Sequence, residues 1–367
     1  MLVNHLELLV PNDPGRGRIV LRLHTDAGLA GLAEARLPGR VGALKAVLDA
    51  IGPHFVLGAD PFESGPLTRR MLPADRGPVE SAAAALVDVA CWDLVGKALN
   101  VPLYRLFGGA ERDRVRACAS GWEPETLSNE EFSKAARGVL AKGYRALRLN
   151  PFDLSRGELT REDLILAVRR AEVVRAAVGP DVELILTIDG RLGPVAFMKA
   201  ARALERVEPA WFEDLRPIGP TAATPCAGRS NGFPIARGPW LGALVAIHPF
   251  LQASAGEIVR LDVMRCGGLG EARKIAAVAE GRQVLVSLCD LAGPIGLAAN
   301  LHLAVNLPNF RIVEHPVNGT DTETKTEWES GVPRLVDGFF APPLGPGLGV
   351  TLCEAEFSAY PGKEGRG

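Results

Sequence analysis

Polar side chains capable of chemistry recur at the ends of short apolar runs in this chain. Arg148 and Asn150 close one run, Thr187 and Asp189 the next, and Glu213 a third. Arg237, the pair Arg260 and Asp262, then Cys289 and Glu314 close four more. Residues two apart on a strand point to the same face, so each such pair can be aimed at one place. Carboxylates supply the hard oxygen ligands that a divalent cation takes. A guanidinium is protonated up to pH values above ~12 and grips a carboxylate through a planar fork, which makes it a clamp and a poor base. A cysteine becomes a nucleophile only as the thiolate, which neighbouring cations favour. Arg148, Arg237 and Arg260 beside Asp189, Glu213, Asp262 and Glu314 oppose cation entry and can neutralise the acids without metal.

The runs themselves cover 115–120, 146–150, 182–189, 210–214, 234–237, 258–263, 284–289 and 310–314. Helical spacing falls between several of them, at 163–178, 270–280 and 296–306. In the first, Leu164, Ile165, Val168 and Ala171 share a face and Gly179-Pro180 ends it. Eight strands alternating with helices predict a parallel α/β barrel, whose C-terminal strand ends form the working face. An open doubly wound sheet also fits the alternation. That fold carries a Gly-rich phosphate turn after its first strand, and Ala119-Ser120-Gly121-Trp122 is not one. Ahead of the barrel, 19–24 and 29–35 read as strands about a turn at 26–28, and 41–51 and 79–99 read as helices. The expected architecture is α/β: a modified (β/α)8 TIM-type barrel at 113–318, an α+β capping domain at 1–112, and a Gly/Pro-rich segment at 319–367 packing back on the cap.

The 367 residues are 47% hydrophobic and 23% charged, ordinary for a soluble enzyme. A net charge of −2 gives no electrostatic case for nucleic acid or an anionic membrane. No run approaches the ~20 apolar residues of a transmembrane helix, and the start has no basic region of the signal-peptide kind. The six cysteines form no CxxC pair and read as reduced, so a cytoplasmic location is expected.

Several stretches in order resemble the mandelate racemase and muconate lactonizing branch of the enolase superfamily. They are 24–28, Gly31, Glu34-Ala35, 90–93, Gly96-Lys97 and 102–109 in the cap. In the barrel they are 143–146, 189–191, 212–214, Asp262 with Gly267-Gly268, 293–295, 300–302 and 309–314. The resemblance implies a homo-oligomer that binds a small carboxylate or sugar acid on Mg²⁺ at the barrel top. Three acids on strands three to five hold the metal, and a base removes the proton α to the carboxylate. Racemisation, loss of water from a sugar acid, or cycloisomerisation follows.

Carried onto this sequence, the resemblance puts Glu213 at the second metal position, Thr187 at the first and Pro239 at the third. Asp189 stands where Asn or His is usual and could reach a displaced ion. Arg148 and Asn150 stand where relatives carry a lysine base, and Asn150-Pro151-Phe152 is similar to a sugar-acid dehydratase pattern. Arg148 reads as a salt bridge or as a carboxylate clamp. Arg237 is expected to point inward and face Glu213 in the cation's space, and Arg260 stands where a neutral group is common. Asp262 orients a strand-seven histidine in relatives, and Cys289 stands at that position, as an apolar filler or a thiolate. Glu314 supports the substrate carboxylate or acts as an acid; His315 points away. Cap loops 11–18 (Arg16, Arg18) and 72–79 (Asp75, Arg76) supply substrate contacts in relatives; here they read as exposed charge or as contacts to a polar substrate. Weak Mg²⁺ binding is expected. Two functions stay open: a dehydratase or racemase with altered machinery, or a silent or metal-independent barrel binding a small organic anion.

Overall fold

A computed structural model describes residues 1–11, 17–71, 77–124, 128–152, 159–188, 192–214, 234–238, 244–253, 257–290, 292–317 and 328–360. The chain opens with an antiparallel sheet of β1 (Val3–Pro11), β2 (Arg18–Thr25) and β3 (Ala30–Arg36). β1 was not foreseen as a strand. Helices α1 (Val41–Ile51), α2 (Ser64–Met71), α3 (Pro78–Ala98) and α4 (Leu103–Leu106) follow. α3 is buried along most of its length, and its run of small residues, Ala82 to Ala85, lets it pack closely against the sheet.

The barrel strands are β4 (Val115–Ser120), β5 (Ala146–Leu149), β6 (Glu183–Ile188), β7 (Trp211–Asp214), β8 (Ile235–Arg237), β9 (Ile258–Leu261), β10 (Leu285–Cys289) and β11 (Phe310–Pro316). All eight run parallel, and β11 pairs with β4 to close the ring. Helices α5 (Asn129–Ala141), α6 (Arg161–Val178), α7 (Pro194–Leu204), α8 (Leu244–Ala253), α9 (Val263–Cys266), α10 (Leu269–Glu280) and α11 (Pro294–Asn306) lie between strands. Local chemistry sets these boundaries: a capping box of Thr160 and Asp163 starts α6, and Gly179 ends it with positive φ. The closed parallel barrel with an N-terminal cap is the architecture expected from the alternation.

The last segment divides its contacts. β13 (Leu335–Val336) and β14 (Phe339–Phe340) add to β4 at the foot of the barrel, after β12 (Trp328–Ser330). β15 (Thr351–Leu352) pairs with β12, and β16 (Phe357–Ala359) returns to β1.

Buried acids join the cap to the barrel and to the last segment. Asp88 accepts the Gly270 N–H at 3.0 Å, at the start of α10. Asp93 accepts the N–H groups of Leu32 and Leu348 at 2.9 and 2.8 Å. Glu34 accepts the Ile295 N–H at 2.9 Å, at the start of α11. A helix N-terminus presents unpaired N–H groups and partial positive charge, so a carboxylate is a natural partner. Glu34 and Asp93 belong to the stretches that carry the family resemblance, and the work of all three acids is assembly. His302 is fully buried on α11 and accepts the Tyr104 N–H at 3.3 Å, a structural role.

Candidate functional site at the barrel mouth

Strand register decides which side chains face inward. Cys118, Ala146, Ile185, Trp211, Ala236, Ile258 and Ile312 pack together as an inner layer. Two residues further along the same strands stand Ser120, Arg148, Thr187, Glu213, Gly238, Arg260 and Glu314. Thr187 pairs in register with Glu213, and Cys289 pairs with Glu314. The mouth is therefore polar above an apolar floor.

Arg148, Glu213, Arg260 and Glu314 form a closed ion-pair set. Arg148 Nε donates to Glu213 Oε2 at 2.6 Å and lies 3.7 Å from Glu314 Oε1. Arg260 Nε lies 3.0 Å from Glu213 Oε1, and Arg260 Nη2 donates to Glu314 Oε2. The Thr187 hydroxyl donates to Glu213 Oε2 at 3.1 Å, and Ser120 bonds Glu314. Burial alone would raise the Glu314 carboxyl, but Arg148 and Arg260 overcome it and hold it at about 2. Both guanidiniums lose solvation yet are raised further by Glu314 and Glu213, so both stay cationic.

Arg237 departs from expectation. Ala236 occupies the inner layer, so Arg237 alternates to the other face of β8, between Asp214 and Val259 in register. The guanidiniums on Glu213 come from Arg148 and Arg260 instead. Gly238 is the next inward position on β8. Its φ is +122°, and a Cβ there would lie 2.1 Å from the Arg260 carbonyl oxygen. Only glycine lets the two strand ends approach this closely.

Other expected site residues are placed as follows. Asp262 caps α9 by accepting the Met264 N–H at 2.9 Å, and burial pushes its carboxyl up to about 7 despite Arg265. Cys289 is buried, and burial raises its thiol well above the ordinary range, with Arg260 opposing and Glu314 and Glu213 adding to the rise. A thiolate is therefore not what these surroundings produce, because desolvation and two carboxylates outweigh one guanidinium. Asn150 accepts the Phe152 N–H at 3.1 Å through its side chain, closing a local turn. Arg18 donates to Glu34 at 2.9 Å, so it serves the cap–barrel joint. His315 lies 3.5 Å from Asp290, on the strand face opposite Glu314. Asp189, Pro239, Arg16, Asp75 and Arg76 lie outside the described residues.

One residue at the mouth went unnoticed in the sequence. Glu123 follows β4 and accepts the Asn150 N–H at 3.1 Å, while Trp122 Nε1 donates to the Arg148 carbonyl at 2.8 Å. A lone Glu in a loop carries no pattern, and only the fold brings it beside β5.

Among the described residues, the donor set does not fit Mg²⁺. Of the positions the resemblance assigns to the metal, the described residues supply Glu213 and Thr187. Both Glu213 oxygens are held by guanidiniums. Among the described residues no three His, Cys, Asp or Glu side chains converge as a metal site. A divalent cation needs several hard oxygens, and the guanidiniums of Arg148 and Arg260 on Glu213 oppose its entry.

Comparison with known proteins agrees with the fold. Residues 16–108 match the mandelate racemase / muconate lactonizing enzyme N-terminal domain, and 131–356 match the enolase C-terminal domain-like family. A D-galactonate dehydratase family member of Streptomyces bingchenggensis is 31% identical, over 95% of this chain and 91% of its own. A D-galactonate dehydratase of Verminephrobacter eiseniae is also 31% identical, over 91% and 88%. The crystal structure of a mandelate racemase/muconate lactonizing enzyme from Jannaschia sp. CCS1 superposes with a TM-score of 0.86 at 28% identity, over 99% of this chain and 98% of that one. With a capped, closed eight-stranded barrel and family matches over most of its length, the chain belongs to the mandelate racemase/muconate lactonizing enzyme branch of the enolase superfamily.

Proposed function

We propose that the barrel mouth binds a sugar acid or related hydroxycarboxylate without a divalent cation, Arg148 supplying the positive charge that faces the ligand. The observation that carries this reading is the state of Arg148. Its Nε is committed to Glu213, its side chain keeps 17% exposure, and its two Nη groups make no hydrogen bond among the described residues. A guanidinium edge with two parallel N–H donors matches a carboxylate in a bidentate fork. Glu213 and Glu314 hold the guanidiniums in place, as a packed support does for any preorganised site. The dehydratase names of the relatives suggest D-galactonate, D-gluconate and D-mannonate as probes.

Binding without turnover is the alternative. Arg148 and Arg260 stay cationic and Cys289 stays a thiol, so none of these three accepts a proton. Titration calorimetry with the three sugar acids, in chelator and again in millimolar Mg²⁺, tests the reading. Binding of at least one acid in chelator is expected, weakened at least tenfold by Arg148→Lys, which keeps the charge and loses the fork. Binding only with Mg²⁺, or none of any acid, overturns it.

A further inference from the structure

Among the described residues of the mouth, Arg148 and Arg260 stay cationic, Glu314 is held ionised and Cys289 stays a thiol, so the group left to exchange a proton with a ligand comes from the loop after β4. That loop is built to deliver one. Gly121 takes φ +63°, turning the chain over the mouth with open space around it. Trp122 then buries against Phe132 and ties its ring N–H to the Arg148 carbonyl. Glu123 is thereby fixed beside the end of β5, with the Asn150 N–H on one oxygen. Glu314 is locked to both guanidiniums, and Asp262 is sealed under α9. Glu123 is instead partly exposed and in no ion pair among the described residues.

Resting on the reading of Arg148 as the carboxylate clamp, we propose that Glu123 is the proton-transfer residue of this site, acting on the carbon next to the bound carboxylate. The ionised Glu123 takes the C2 proton of the hydroxyacid. The C2–H electron pair passes into the carboxylate, whose oxygens Arg148 holds, giving an enediolate. Return of that proton to C2 restores the acid, so C2–H exchange with solvent is the minimal reaction and needs no co-reactant. Return of it to a C3 hydroxyl instead breaks the C3–O bond, forms C2=C3 and releases water; the enol becomes the 2-keto acid.

The electrostatics suit the role. Burial raises the Glu123 carboxyl, the Asn150 N–H and Arg148 oppose the rise, and Glu314 adds to it. A base whose acid form is favoured more than an ordinary carboxyl's holds a proton better once it has taken one. The charged groups facing it are Arg148 on β5 and Glu314 on β11.

The test is C2–H to C2–D exchange, read by proton NMR in D2O with each of the three sugar acids, alongside the binding titration. Wild type is expected to bind at least one acid and exchange its C2 proton, with a rate that rises with pH through a single ionisation. Glu123→Gln keeps an acceptor for the Asn150 N–H, so it is expected to bind the same acid within threefold while exchange falls ~10²- to 10⁴-fold. Glu123→Asp is expected to retain exchange at an intermediate rate with a moved pH profile. Wild-type binding with no exchange overturns the assignment and leaves the clamp standing, as does undiminished exchange in Glu123→Gln. Exchange and binding lost together in a folded Glu123→Gln also overturn it, since the residue then only shapes the mouth. Absence of any wild-type binding removes the clamp, and the assignment with it.

Discussion

Replacing Arg260 with methionine tests whether the mouth is an ion-paired set or a loose polar rim. Methionine preserves much of the side-chain volume and removes the charge. In the native protein two guanidiniums balance two carboxylates, with side-chain exposures of 17% and 3% for Arg148 and Arg260, and 3% and 6% for Glu213 and Glu314. After the change, Glu213 and Glu314 share Arg148 alone, and the set carries an uncompensated buried negative charge. Breaking a buried pair from one side costs about 3–5 kcal/mol, which is a hundredfold or more in the unfolding equilibrium. Arg206→Met is the control: its pair with Glu172 is 65% and 45% exposed, and such surface pairs contribute about 0–1 kcal/mol. Equilibrium urea unfolding at pH 7 should separate the two variants clearly. Adding Glu213→Gln to Arg260→Met restores the balance of charge and should recover part of the loss. Equal midpoints for Arg260→Met and Arg206→Met, or no recovery in the double variant, would refute the reasoning.

Further outcomes follow from the same structure. Calorimetric titration of the wild type with Mg²⁺ should show no micromolar site, because two guanidiniums hold Glu213; a micromolar Kd would contradict this. Asp88 is raised by burial to about 6, from an unfolded value near ~3.9. The folded state then binds the extra proton, so its contribution is complete below ~3.9 and is lost as pH rises through about 6. Asp88→Asn should remove that part of the fall in urea midpoint between pH 4 and 6, with a constant offset above it. The opposite sign holds for Glu314: held at about 2, it contributes stability above ~4.3 that disappears as pH falls through 2. Gly238→Ala should destabilise the barrel by several kcal/mol, or shift the Arg260 strand end, since its Cβ has no space; a wild-type melting curve would show that the two strand ends can separate freely.

The alternation of apolar runs and helical stretches gave the barrel strands to within a residue or two at most ends, because inward and outward burial leaves a local period in the sequence. Arg148, Glu213, Arg260 and Glu314 were identifiable as strand-end side chains for the same reason. β1 was missed because it is an edge of the cap sheet until β16 returns to it from the far end of the chain. Glu123 was missed because a loop residue has no period.

The sequence by itself determined the fold and the presence of arginines beside acids at the strand ends that form the mouth. Which guanidinium meets which carboxylate was decided only by the tertiary structure. Ring closure through β11 and β4 and the parity of β8 turn Arg237 away and set Arg148 and Arg260 against Glu213 and Glu314. Those partners are far apart along the chain, and both their pairing and the state of Cys289 depend on desolvation, which a linear sequence does not display.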